Sequence, residues 1–294
     1  MMVIMPSEEF EEAMDTTARD LPVVAGVADK QPTVLDYARR EAERAGCGLK
    51  LVHAYTVPPS AMGSIYSLDI PEAFRAGGQE ILDEAVRHLE NEGCTSPIET
   101  VLTRGYAPSV LEAESGSARQ MIIGPDESKP WYIRMFEGKV AHELVERGEC
   151  PVIVVPDSWR PTSHAAPVVV MVDGETSAHG PLKFAFDAAS ARGAELRVLH
   201  VTPPADGLAD SEWEAIRRVV DSWFDHHPQV RGGSQEVASD VREAALRAAE
   251  GAGILVLGRP HDRRLSNLLM DSLAQEILSE AGSPVAVVPA EYRG

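Results

Sequence analysis

No apolar run in the 294 residues approaches the roughly 20 needed to cross a bilayer, so no membrane-spanning helix is expected. The opening residues, Met1-Met2-Val3-Ile4-Met5-Pro6-Ser7-Glu8-Glu9, lack the basic start and long apolar stretch of a signal peptide, and the expected location is cytoplasmic. Cysteine is scarce. Cys47, Cys94 and Cys150 show neither paired nor C-x-x-C spacing, which argues against a disulfide framework or zinc site and leaves buried or idle thiols. Aromatic residues make up only 5%, so the cores are left to Ala, Val, Leu and Ile. Basic residues are outnumbered 27 to 46 by acidic ones, giving a formal charge of −19. Such a chain repels nucleic-acid backbones and anionic lipid heads, and it disfavours a polyphosphate ligand unless local groups compensate.

What the chain does contain is a long internal repeat. Leu49-Lys50-Leu51-Val52-His53-Ala54 recurs as Leu196-Arg197-Val198-Leu199-His200-Val201, an offset of 147. Cys150-Pro151-Val152-Ile153-Val154-Val155-Pro156 recurs as Ser283-Pro284-Val285-Ala286-Val287-Val288-Pro289, an offset of 133. The copies are collinear, and the shift places a longer connection in the first, at residues 60–70. Solenoid units run only about 20 to 50 residues, so repeats of this size are whole domains. The division expected is an acidic, mobile leader over 1–20, a domain over 21–157, a linker over 158–167 and a second domain over 168–294.

Each copy opens with a short β-branched run, Val23-Val24-Ala25-Gly26-Val27 or Val168-Val169-Val170-Met171-Val172, the pattern of a buried parallel strand. Amphipathic helices follow over 33–45 and 179–192, with Gly46 and Gly193 placed as C-terminal caps. Strand and helix then alternate to the final strands, 152–155 and 285–288. The third strand of the second copy, near 229–237, is weakly written because of Gly232-Gly233. This order predicts two similar Rossmann-like α/β domains, each a five-stranded parallel sheet with helices on both faces.

Val170-Met171-Val172-Asp173-Gly174-Glu175-Thr176-Ser177, the strand ending Leu199-His200-Val201 and the closing Ser-Pro or Cys-Pro strands resemble the universal stress protein family in its two-domain form. The resemblance implies that the final strands pair across a two-fold, here within one chain as a pseudo-dimer, with a homodimer of whole chains as a further association. It also implies a stress-response role and, for members that bind ATP, an aspartate after the first strand. These members also carry a motif after the fourth strand: G, two residues, G, nine residues, G, then Ser or Thr. Glycines there let backbone N–H groups approach phosphates where a strand gives way to a helix.

In the second copy Asp173, Gly174, Gly258 and Ser272 match that site, whereas His261 and Asp271 replace its second and third glycines. A carboxylate about 5 Å from a phosphate charge, at an effective dielectric of about 20, costs roughly 3 kcal/mol per charge pair, about two orders of magnitude in affinity. His261, Arg259, Arg263 and Arg264 offset part of this cost. In the first copy Ala28 takes the aspartate's place with Asp29 one residue on. Gly124 and Gly138 persist there, but Glu127 stands at the second glycine and Lys139 at the hydroxyl. No ATP is expected in that half. The one cofactor in view is an adenine nucleotide in the second.

Other constellations are weak. His142-Glu143-Leu144-Val145-Glu146 lacks the second histidine of a metalloprotease helix. Asp225-His226-His227 do not share a helix face and read as solvated, and His53 and His200 read as satisfied, semi-buried residues. No catalytic set stands out. The leading expectation is a non-enzymatic stress-response module acting through contacts with an unidentified protein partner, with nucleotide binding largely lost. The alternative is an adenine-nucleotide sensor with one altered site in the second domain, and ATP hydrolysis ranks last.

Overall fold

The computed structural model of the chain describes residues 21–57, 70–125, 140–161, 166–172, 179–202, 210–259 and 276–294. The acidic leader and most of the 60–70 connection lie outside them.

In the first half β1 (Val23–Gly26), α1 (Pro32–Ala45), β2 (Leu49–Tyr55), α2 (Ile70–Asn91), β3 (Ile98–Arg104), α3 (Ala107–Ser115), β4 (Gln120–Ile123), α4 (Val140–Arg147) and β5 (Val152–Val154) succeed one another. The second half repeats the order with β6 (Val168–Val172), α5 (His179–Arg192), β7 (Leu196–Thr202), α6 (Asp210–His226), β8 (Gly232–Ala238), α7 (Val241–Ala249), β9 (Ile254–Gly258) and β10 (Val285–Val288). Between β9 and β10, residues 276–280 are helical. Every strand pair within a half is parallel, and each half has the order 3-2-1-4-5.

Local chemistry explains the elements. The central strands are apolar throughout because helices cover both sheet faces, and Val23, Val24, Ala25, Ile122, Ile153 and Val170 are fully buried. α1 and α5 stop the same way: Gly46 and Gly193 take φ of 65° and 60°, a left-handed conformation open to glycine. The following N–H groups, of Cys47 and Ala194, then reach back to Ala42 O at 3.1 Å and Ala189 O at 3.0 Å. At α7 the Asp240 carboxylate accepts from Glu243 N at 3.1 Å and caps the helix start. On α6, Ile216 and Val220 are buried, with Trp213, Val219, Trp223 and Phe224 packed against the core at helical spacing.

The weakly written strand has a physical reason for its glycine. β8 pairs with β7 at Leu196↔Gly232, and a Cβ on Gly232 would lie 1.8 Å from the Leu196 carbonyl oxygen. Only glycine fits there.

Both halves belong to one ten-stranded sheet, β3-β2-β1-β4-β5-β10-β9-β6-β7-β8. Its centre is the antiparallel pair β5 and β10, in the register Val154↔Val285, Ile153↔Ala286 and Val152↔Val287. That register is symmetric about Ile153 and Ala286, as a pseudo-two-fold requires. Pairing closes the apolar edge that each half would otherwise leave open. Above the seam, α1 meets α5: Arg192 Nη2 donates to Glu41 Oε1 at 2.7 Å and to the Tyr37 hydroxyl at 3.3 Å. Trp159, just past β5, is buried with its ring edge-on to Tyr37 at 5.2 Å. Trp159, within the expected linker, is thus a docked residue.

Candidate functional site

In each half the strand order reverses between its first and fourth strands, which opens a crevice outside their carboxyl ends. In the first half that crevice lies between β1 and β4. Beyond the pair Ala25↔Ile122 the chain continues into Ala28 and Asp29 on one side and Gly124 on the other. Asp29 is exposed, and Lys30 turns the chain with φ 56° into α1. The buried Gln31 then points its amide at Gly124, where a Cβ would stand 2.5 Å from Gln31 Nε2. The open glycine face is thus covered by a side chain of the same half. Glu127, Gly138 and Lys139 lie outside the described residues.

In the second half the crevice lies between β6 and β9. Past the pair Met171↔Leu257 come Val172, which immediately precedes Asp173, and Gly258. Asp173, Gly174, His261, Asp271 and Ser272 lie outside the described residues. Gly258 is anchored from the other side by its pairing with Val288, and the next residue, Arg259, donates its backbone N–H to Val288 O at 2.9 Å.

Family models and solved relatives agree with this architecture. The family model for the Universal stress protein family matches residues 21–156 and again 165–289. The chain belongs to the universal stress protein family. A universal stress protein of Mycobacterium tuberculosis strain H37Rv is 25% identical over 93% of this chain and 98% of its own length, so the tandem form is shared end to end. Among solved structures, a universal stress protein from Archaeoglobus fulgidus superposes with a TM-score of 0.68 at 15% identity, covering 90% of this chain and 95% of that one. A shorter protein of the family from the same organism, solved in complex with dAMP, is 21% identical over 43% of this chain and 99% of its own, with a TM-score of 0.34.

One feature of the tandem universal stress protein recurs at both crevices. His53, on β2, and His200, on β7, each use Nδ1 to reach the carbonyl at the end of the neighbouring first strand, Val27 O at 2.8 Å and Val172 O at 2.9 Å. A carbonyl only accepts, so Nδ1 carries a hydrogen and donates it. Beyond this the halves diverge. Gly78 of α2 packs against the His53 ring, and its missing Cβ would lie 3.0 Å from His53 Cδ2. In the second half Trp213 stacks on His200, with centroids 5.7 Å apart and planes 12° apart. His200 is only 4% exposed, and its Nε2 is buried without a hydrogen-bond partner among the described residues. His200 is therefore buried outright and only half satisfied, in contrast to the semi-buried, satisfied reading of the sequence.

His227 corrects the sequence reading too. It stacks on Trp223 at 5.3 Å and lies 5.0 Å from Phe186, with Nδ1 donating to Trp223 O, whereas His226 is exposed. His142 sits on α4 beside Glu146 at 3.3 Å. Among the described residues no group of three or more His, Cys, Asp or Glu is placed to hold a metal ion, and no helix is long and apolar enough to cross a membrane. The three cysteines are free. Burial pushes the Cys150 thiol up to about 12, so it stays protonated. Gln31 and Trp213 shape these surroundings without a motif to announce them. Gln31 alone had a signal, standing directly after the turn that replaces the family aspartate.

Proposed function

We propose that the chain is a non-enzymatic stress-response module that acts through protein contacts and has largely lost nucleotide binding. The observation that carries this reading is Gln31 lying over Gly124, in a half where Ala28 stands in place of the aspartate. A phosphate approaching Gly124 would have to displace a buried amide. In the second half, Asp271 and His261 stand where glycines would open the backbone to phosphate. Domain boundaries at 157 and 168, a cytoplasmic location and a homodimer of whole chains belong to the same proposal, the last on family membership alone.

The second reading is an adenine-nucleotide sensor with a single altered site in the second domain. Retained Asp173, Gly174, Gly258 and Ser272 favour it, as does His200 Nε2, unpartnered among the described residues. The dAMP complex of the shorter relative shows what that protein binds; here the case rests on this chain's own residues. Calorimetric titration of the intact chain with ATP, ADP and AMP tests both readings. Little or no saturable heat is expected. Tight binding abolished by Asp173→Ala would replace the first reading with the second.

A further inference from the structure

The seam is symmetric in its backbone and asymmetric in its chemistry. Ile153 and Ala286, which face each other at its centre, are equivalent positions of the two halves. α1 and α5 match end to end at the offset of 147, so Tyr37 corresponds to Phe184, Glu41 to Ala188 and Ala45 to Arg192. In the strands beneath, Gln120 corresponds to Ile254, since each pairs with the first residue of its half's first strand, Val23 or Val168. Tyr37, Glu41 and Gln120, buried polar positions of the first half, are thus apolar in the second. Arg192, which the second half contributes, is alanine in the first.

The polar contact is therefore made once. Arg192 Nη2 reaches Glu41 and the Tyr37 hydroxyl, and Gln120 Nε2 supports the same carboxylate at 3.3 Å. Across the pseudo-two-fold the matching positions are Ala45 and Ala188. A two-fold pairing of like halves would double whichever side it kept. Two second halves would set each Arg192 against Ala188 and Phe184 of its counterpart, leaving the guanidinium the Ala188 carbonyl of its own helix, now at 3.2 Å. Two first halves would set each Glu41 against Ala45, with Arg44 and Gln120 of its own half as remaining partners. A buried charge stripped of its counter-charge is strongly destabilising. The centre of the seam acts in the same direction: Ile153 faces Ala286, large against small, where like halves would set Ile against Ile or Ala against Ala.

We propose that this one-sided set is a key that admits only one first half against one second half, so that the chain closes on itself. The surface around Glu41 and Tyr37 fits a partner face that carries a guanidinium at the position of Arg192, and it rejects a second copy of itself. A chain with two self-pairing edges would join others end to end; this one is a closed unit, and association of whole chains falls to other surfaces. A half cut free would still have its apolar edge to cover and would associate by it, at a penalty that the intact chain avoids.

Reporter cysteines in the intact chain test the key. Directly opposed residues of antiparallel strands lie about 4.5 to 5.5 Å apart, within disulfide reach. An Ile153→Cys thiol would face its own copy only between two first halves, and an Ala286→Cys thiol only between two second halves. Chain-to-chain cross-links formed under mild oxidation are compared with those of the same chain without the reporter, because Cys47, Cys94 and Cys150 are present throughout. With the key intact, both reporters should cross-link little. Arg192→Ala makes the second half's face apolar and should raise Ala286→Cys cross-linking at least tenfold, leaving Ile153→Cys cross-linking low. Glu41→Ala should do the reverse, since Arg192 is still stranded between second halves. A contact that merely tightened the seam would raise both reporters together in both variants. Thermal melts check that each chain is folded; if Ala286→Cys is not, Ile153→Cys in the two backgrounds decides alone. Free cross-linking with the key intact, reporters that rise together, or reporters that stay low in both folded variants would overturn the proposal.

Discussion

Arg192 of the second half holds Glu41 of the first at 2.7 Å, with 11% and 7% of the two side chains exposed. Arg44 and Gln120 also reach the Glu41 carboxylate, so it is multiply satisfied away from water. Burial works against the Arg192 charge, but the neighbouring Glu41 and Tyr37 outweigh it and hold the guanidinium's pKa above its ordinary value. Removing one partner of a buried pair strands the other, at a cost of about 3 to 5 kcal/mol. Arg192→Met should fall near the lower end, since Arg44 and Gln120 remain. Denaturant unfolding of Arg192→Met, Glu41→Gln and the double variant should show strong coupling, with the double variant less damaged than the sum of the singles.

Tyr37 links this pair to alkaline stability. Burial, reinforced by the Glu41 charge, raises its phenol well above the ordinary value of about 10. The folded state therefore keeps a proton that the unfolded state releases. Its stabilisation is complete below pH of about 10 and is lost as pH rises toward the folded value. Unfolding free energy measured from neutral to strongly alkaline pH should decline less steeply in Tyr37→Phe than in the parent chain. Equal slopes would contradict the assignment.

At the seam, Val154 is 1% exposed and pairs with Val285. Val154→Lys would bury an ammonium group without a counterion, costing at least about 3 kcal/mol. The separated halves would each bare an apolar edge strand and should self-associate in light scattering. Two monodisperse monomers at high concentration would contradict the role given to this edge.

Gly232→Ala places a methyl group on the Leu196 carbonyl, so the outer strand must shift or peel away, at about 1 to 3 kcal/mol. Because β8 lies at the end of the sheet, the damage should be local. Hydrogen exchange should quicken along β7 and β8 and stay unchanged in β1 and β2.

The elements were legible because their signals are local: β-branched runs for buried strands, Gly46 and Gly193 for helix ends, and a repeat that fixed the order twice. Pairing of the final strands followed from family resemblance and from two apolar edges in one chain. The Arg192–Glu41 contact had no such signal, since 151 positions separate the residues and each reads as an ordinary helix-surface charge. Trp159 looked like linker because the ring it packs against, Tyr37, comes from a distant segment, and His227 looked solvated although Trp223, one turn earlier, and Phe186 half-cover its ring. At the candidate site, the motif placed Ala28 and Gly124 at one crevice and Gly258 at the other, whereas Gln31 lies outside the motif.

If Asp271 and His261 are what weaken phosphate binding, Asp271→Gly with His261→Gly should strengthen ATP binding at least about tenfold, within the charge-pair cost estimated for a carboxylate there. Adding Asp173→Ala should remove the gain. Calorimetry on the double variant checks this, and unchanged affinity would assign the closure to other groups.

The most direct test of the account is the nucleotide content of the intact chain, purified without added nucleotide, denatured to release any ligand and analysed by mass spectrometry. The account predicts adenine nucleotide far below one equivalent per chain. Near-stoichiometric ATP, ADP or AMP would contradict it and make the chain a nucleotide-loaded sensor.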